Sequence, residues 1–163
     1  MKKTATYLCS LFLIMALIAC GEGESGNDAS GTTDTKAQAA KSQVQPPYPL
    51  ADSSQIQTVD GVQIYVVERG TGAVPKPGST VVIDYHGYLT DGSVFDSSFD
   101  TDGPVNFPLN NLIRGWQIGL TQVPSGSRVK LIIPPELGYG SQERPGIPAN
   151  STLIFDIELF SSY

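Results

Sequence analysis

The stretch Thr152-Leu153-Ile154-Phe155-Asp156-Ile157-Glu158-Leu159-Phe160 alternates cleanly. Leu153, Phe155, Ile157 and Leu159 fall on one side of an extended chain, and Asp156 and Glu158 on the other. A period of two, with apolar and charged faces, predicts a strand half buried and half solvated. Val62 to Glu68, Val81 to Leu89, Val105 to Leu109 and Arg128 to Ile133 read the same way with less regularity. Turn signals separate them: Arg69-Gly70-Thr71-Gly72, Pro75-Lys76-Pro77-Gly78, Thr90-Asp91-Gly92-Ser93, Thr101-Asp102-Gly103-Pro104 and Pro124-Ser125-Gly126-Ser127. One segment breaks the pattern. Leu112, Trp116, Leu120 and Val123 recur at spacings of three and four, the apolar stripe of a short helix, with Asn110 or Asn111 placed to cap its start. A helix this short, with Gly115 and Gly119 inside it, is unstable alone and must be held by a sheet. The expected fold class is therefore α+β, a curled antiparallel β-sheet wrapped around one short α-helix.

Length and composition narrow the function. At 163 residues, 40% hydrophobic and 16% charged, the chain holds one ordinary domain plus an appendage. The net charge is −6, and loss of Lys2 and Lys3 with the leader described next would make it −8, which disfavours nucleic acid as a partner. Both cysteines, Cys9 and Cys20, precede the domain, and His86 is the single histidine. The domain thus has no disulfide, no thiolate metal site and no multi-histidine zinc site, and no cofactor is expected.

The first 20 residues read as an address. Met1-Lys2-Lys3 is a positive start, Tyr7 to Ala19 is almost unbroken in its apolar character, and Leu17-Ile18-Ala19-Cys20 resembles the lipobox of bacterial lipoproteins. The apolar run falls short of the roughly 20 residues that span a bilayer. The resemblance implies a signal peptide over 1–19 and a thiol-linked lipid on Cys20, holding the protein on a membrane without crossing it. Gly21, where an acidic residue often marks inner-membrane retention in that class, points to the outer membrane, facing periplasm or exterior. Residues 20–49 are then the lipidated cysteine and a disordered tether, poor in apolar residues and reaching about 25–30 Å, with Pro46, Pro47 and Pro49 stiffening its end. The folded domain is expected over 50–163.

Three blocks in order carry a further resemblance. Asp91-Gly92-Ser93-Val94-Phe95-Asp96-Ser97-Ser98 precedes Leu112-Ile113-Arg114-Gly115-Trp116. Leu137-Gly138-Tyr139-Gly140, Pro145-Gly146-Ile147-Pro148-Ala149-Asn150 and Thr152-Leu153-Ile154-Phe155-Asp156 follow. From Val81 to Phe160, with a weaker extension back to Gly61, the chain resembles FKBP-type peptidyl-prolyl cis/trans isomerases. Carried over by position, the resemblance implies a proline pocket. Tyr85, Phe95, Asp96, Ile113, Trp116, Tyr139 and Phe155 would carry catalysis, and Val105, Leu112 and Ile147 would complete the substrate wall. Trp116 would be the floor, and the Ile113 N–H and the Tyr139 hydroxyl would bind carbonyls. The implied partners are proline-containing unfolded or exported polypeptides and rapamycin-like macrolides. Val105 stands where many relatives carry a large aromatic, Arg144 where some carry histidine, and the loop before Pro148 is one residue shorter.

Rotation about an X–Pro bond needs neither nucleophile nor metal, because its barrier of about 18–20 kcal/mol is lost amide resonance. Patterning alone would make Trp116, Phe95 and Phe155 ordinary core. Asp96 either accepts a hydrogen bond from Tyr85 or closes a strand as a turn residue. His86, next to Tyr85 on a strand, should face away from the pocket. Asp100-Thr101-Asp102-Gly103 fails the EF-hand pattern, since the first and last ligand positions would be Ser98 and Leu109. No Gly-x-Ser-x-Gly elbow accompanies the lone histidine. A proline-binding chaperone or surface adhesion module would use the same pocket without turnover. The tether is too short and glycine-rich for a helical dimerisation region, so a monomer is expected.

Overall fold

The computed structural model describes residues 46–49, 55–99 and 101–163. The expected signal peptide, Cys20 and the expected tether through residue 45 lie outside the described residues. The elements run β1 (Ile56–Val59), β2 (Val62–Glu68), β3 (Thr80–Leu89), β4 (Val94–Ser97), β5 (Val105–Pro108), α1 (Arg114–Leu120), β6 (Ser127–Ile133) and β7 (Leu153–Ser162). The strands form a seven-stranded sheet in the order β1-β2-β6-β7-β3-β4, every pair antiparallel. The outer edge of β3 is shared: Thr80–Ile83 pair with β5, and His86–Tyr88 pair with β4. No helix of the described residues is long and apolar enough to cross a membrane.

The strands and the helix read from periodicity are all present, and the fold class is as expected. Sequence reasoning missed β1 and β4. Both are four-residue edge strands with no buried residue, so the alternation that reveals a half-buried strand is missing. β1 turns into β2 through Asp60 and Gly61, both at positive φ, the geometry of a two-residue hairpin. The helix also starts differently. Asn110 and Asn111 belong to a 3-10 turn, Leu109–Asn111, and Ile113 is the helix N-cap with no side-chain cap. The tight turn takes up the asparagines before the helix begins.

On the inner face Val62, Ile64, Val81, Ile83, Val129, Leu131, Ile133, Leu153, Ile157 and Leu159 are almost wholly buried with Leu120 of α1. The helix packs against β2 and β6. Its approach is close: a Cβ on Gly115 would lie 2.4 Å from Ile133 Cγ2, and one on Gly119 2.8 Å from Leu131 Cδ1.

The opposite face of the sheet is polar and yet covered. Arg128 on β6 pairs with Glu158 at 2.9 Å and Glu68 at 2.8 Å. Lys130 pairs with Asp156 at 2.7 Å and donates to the Tyr88 hydroxyl. Asp156 is fully buried, which corrects the solvated face expected of β7. Its cover is Tyr48, 2% exposed, whose backbone N–H donates to Asp156 Oδ2 at 2.7 Å. Tyr48 was expected in the tether; it instead packs on the domain, because the buried carboxylate gives its N–H an acceptor.

Alanine at a helical glycine ordinarily stabilises, by up to about 1 kcal/mol. At Gly115 the contact with Ile133 reverses the sign, since overpacking costs about 1–3 kcal/mol. Urea unfolding of Gly115→Ala should show a lower midpoint with an unchanged slope; a raised midpoint would mean that the helix does not sit this close.

Candidate active site

Between α1, the inner face and the loop joining β6 to β7 lies a cavity of about 500 Å³. Four aromatic rings form a continuous edge-to-face chain along it, and a fifth joins its end at a tilt. Phe95 (β4) meets Phe155 (β7) at 5.5 Å and 84°, Phe155 meets Trp116 (α1) at 5.0 Å and 88°, and Trp116 meets Tyr85 (β3) at 5.4 Å and 77°. Tyr85 in turn lies 6.2 Å from Phe107 (β5), at a tilt of 56°. Such geometry sets each ring's positive edge against its neighbour's negative face, adding about 0.5–1.5 kcal/mol per pair beyond burial. Gly87 makes room for it: a Cβ there would come within 2.7 Å of Phe95 and 2.9 Å of Phe155.

Polar groups enter this lining sparingly. The Tyr85 hydroxyl donates to Asp96 Oδ2 at 2.7 Å. This decides between the two readings of Asp96 in favour of the pocket-shaping one. Burial, with the bond to Asp96 second, pushes the Tyr85 phenol well above its ordinary range, so it stays a neutral donor. Ile113, as N-cap, has its N–H outside the intrahelical ladder. The Trp116 indole is 4% exposed, and its Nε1 has no hydrogen-bond partner among the described residues.

The structure brings Tyr85, Phe95, Asp96, Leu112, Ile113, Trp116, Tyr139, Ile147 and Phe155 to the cavity wall. Val105 is the exception. It packs against the core but does not line the cavity, while Phe107, two residues on along β5 and on the same side, does. The period of the strand carried that signal, because i and i+2 share a face. Asn111, Arg144 and Pro145 also line the cavity and were not predicted as site residues. Trp116 and Phe155 are core and wall at once, so the two readings of these rings are not alternatives. His86 points away, its Nδ1 3.2 Å from Ser97 Oγ. Among the described residues no group of His, Cys, Asp or Glu could hold a metal ion.

The model of the FKBP-type peptidyl-prolyl cis-trans isomerase family matches residues 72–160. The chain belongs to this family. It is 50% identical over 99 residues to the FKBP-type peptidyl-prolyl cis-trans isomerase FkpA of Escherichia coli K12, covering 61% of this chain but 37% of that protein. It is 47% identical over 103 residues to the peptidyl-prolyl cis-trans isomerase Fkbp12 of Drosophila melanogaster, 95% of whose length is matched by 61% of this chain. The crystal structure of Escherichia coli FkpA superposes with a TM-score of 0.65 at 45% identity, over 69% of this chain and 53% of that one. The matched part is thus 37% of the FkpA sequence and about half of its crystallised chain, whereas nearly all of the fly protein corresponds to the FKBP domain of this chain.

Because the Tyr85 phenol has a raised pKa in the fold, the stability it contributes is complete below about pH 10 and is lost as the pH rises through the elevated value. An alkaline titration of phenolate absorbance should lose one late-titrating group in Tyr85→Phe. Loss of a group titrating in the ordinary range would contradict the bond to Asp96.

Proposed function

We propose that the protein is a peptidyl-prolyl cis/trans isomerase that accelerates X–Pro rotation in exported polypeptides. The observation that carries this is the aromatic cavity walled by Phe95, Phe155, Trp116 and Tyr85. A planar amide carries more charge separation than a twisted one. A pocket that strips water from its carbonyl therefore disfavours the ground state relative to the transition state. The proline ring sits on Trp116 among Phe155, Phe95 and Tyr85. The Tyr139 hydroxyl is assigned to the carbonyl of the rotating bond and the Ile113 N–H to the carbonyl of proline itself. Uncatalysed exchange takes tens to hundreds of seconds, slow enough to limit folding.

The non-lipidated chain from Gly21 should accelerate isomerisation in a protease-free assay, rapamycin should suppress it, and Tyr139→Phe and Asp96→Ala should each lower kcat/KM by about tenfold, the scale of one lost hydrogen bond in a desolvated site. A folded chain that binds proline peptides without exceeding the spontaneous rate would make it a proline-binding module instead.

The lipobox-like Leu17-Ile18-Ala19-Cys20 supports a second part of the proposal, a lipid anchor on Cys20 that holds the enzyme at the cell envelope, in the outer membrane of a diderm host, as a monomer on a tether. Metabolic acyl labelling should mark the wild type and not Cys20→Ser, and the variant should leave the membrane fraction. Equal labelling of both would remove the anchor.

A further inference from the structure

Arg144 is the cation of the cavity wall, and among the described residues it makes no ion pair. Among the described residues the ion pairs are made by Arg128 and Lys130, both on the far face of the sheet. The one carboxylate lining the cavity, Asp96, is occupied by the Tyr85 hydroxyl. The Arg144 guanidinium lies over the Tyr139 ring, 5.5 Å from its centroid, and one nitrogen donates to Gln142 Oε1 at 3.2 Å. Gln142 is the one side-chain hydrogen-bond acceptor of this guanidinium among the described residues, so its other N–H groups are available to a carboxylate.

The backbone beneath it is fixed. Arg144 and Ile147 exchange both N–H···O bonds, at 2.9 and 2.8 Å, across the turn Arg144-Pro145-Gly146-Ile147. Proline sets the second position of that turn, and glycine takes the third at φ +76, where an L side chain would be strained. Ile147, 6% exposed, anchors the turn in the core. The arginine is therefore held at the mouth by a preorganised loop, and it also borders the neighbouring groove toward Asp91 and Glu143.

We propose that Arg144 is a specificity-determining residue that favours client segments with an acidic side chain immediately before the proline. The inference rests on the isomerase reading above. With the Tyr139 hydroxyl on the carbonyl of the rotating bond, the residue that owns this carbonyl lies beside Tyr139, within reach of the guanidinium that sits over that ring.

The test is kcat/KM of the non-lipidated chain from Gly21 on Ala-Xaa-Pro-Phe peptides with Xaa as Glu, Gln or Leu, at low and at physiological salt. Wild type, Arg144→Gln and Arg144→Lys are compared. The Glu-to-Gln ratio should fall about threefold in Arg144→Gln, the size of an exposed ion pair, and should be largely kept in Arg144→Lys. Added salt should lower the ratio in wild type and leave it unmoved in Arg144→Gln. Equal losses on all three peptides would show that Arg144 only holds the loop, and would overturn the proposal. So would an acidic preference confined to the residue after proline. If wild type accelerates none of the peptides, the isomerase reading itself fails.

Discussion

A seven-residue helix cannot hold itself together in water, so α1 exists only because the sheet accepts it. Gly115 and Gly119 let its backbone settle onto Ile133 and Leu131, closer than any side chain would allow. That approach fixes where Trp116 and Ile113 stand. The indole is held between Tyr85 and Phe155, and Ile113, the helix N-cap, lines the same cavity. The intrinsic cost of two helical glycines, about 1 kcal/mol each, is thus offset by the contacts they permit. Pocket and core are one piece of packing, and a change that loosens the helix moves the floor of the site with it.

The two faces of the sheet solve different problems. The inner face buries aliphatic side chains and ends in aromatic rings. The outer face buries charge, which is tolerable only when each group is paired: Arg128 with Glu68 and Glu158, and Lys130 with Asp156 and Tyr88. Asp156 shows the dependence most clearly, since it takes a cation from β6 and an N–H from Tyr48. Removing either partner would leave a buried carboxylate short of a donor.

Much of this was legible in the sequence. The alternation of 152–160 and the helical spacing of Leu112, Trp116 and Leu120 are local periodicities, and both elements formed, the helix starting after Leu112 at Arg114. β1 and β4 were not legible because edge strands without a buried face leave no period to read. The cavity residues Tyr85, Phe95, Asp96 and Tyr139 could be named only through resemblance, since they come from β3, β4 and a loop that meet in space and share no spacing. Phe107 was within reach, one pleat from Val105. The burial of Tyr48 was not, because it depends on a carboxylate 108 residues away.

The Tyr48 contact also decides from which side the polypeptide enters the domain. Tyr48 is seated on the Asp156 face, and the cavity opens on the Trp116 face. Pro46 and Pro47, next to it in the chain, therefore stand on the charged side of the sheet and not on the aromatic side. A label placed on exposed Pro47 would thus be joined behind the working side and would leave the aromatic lining clear.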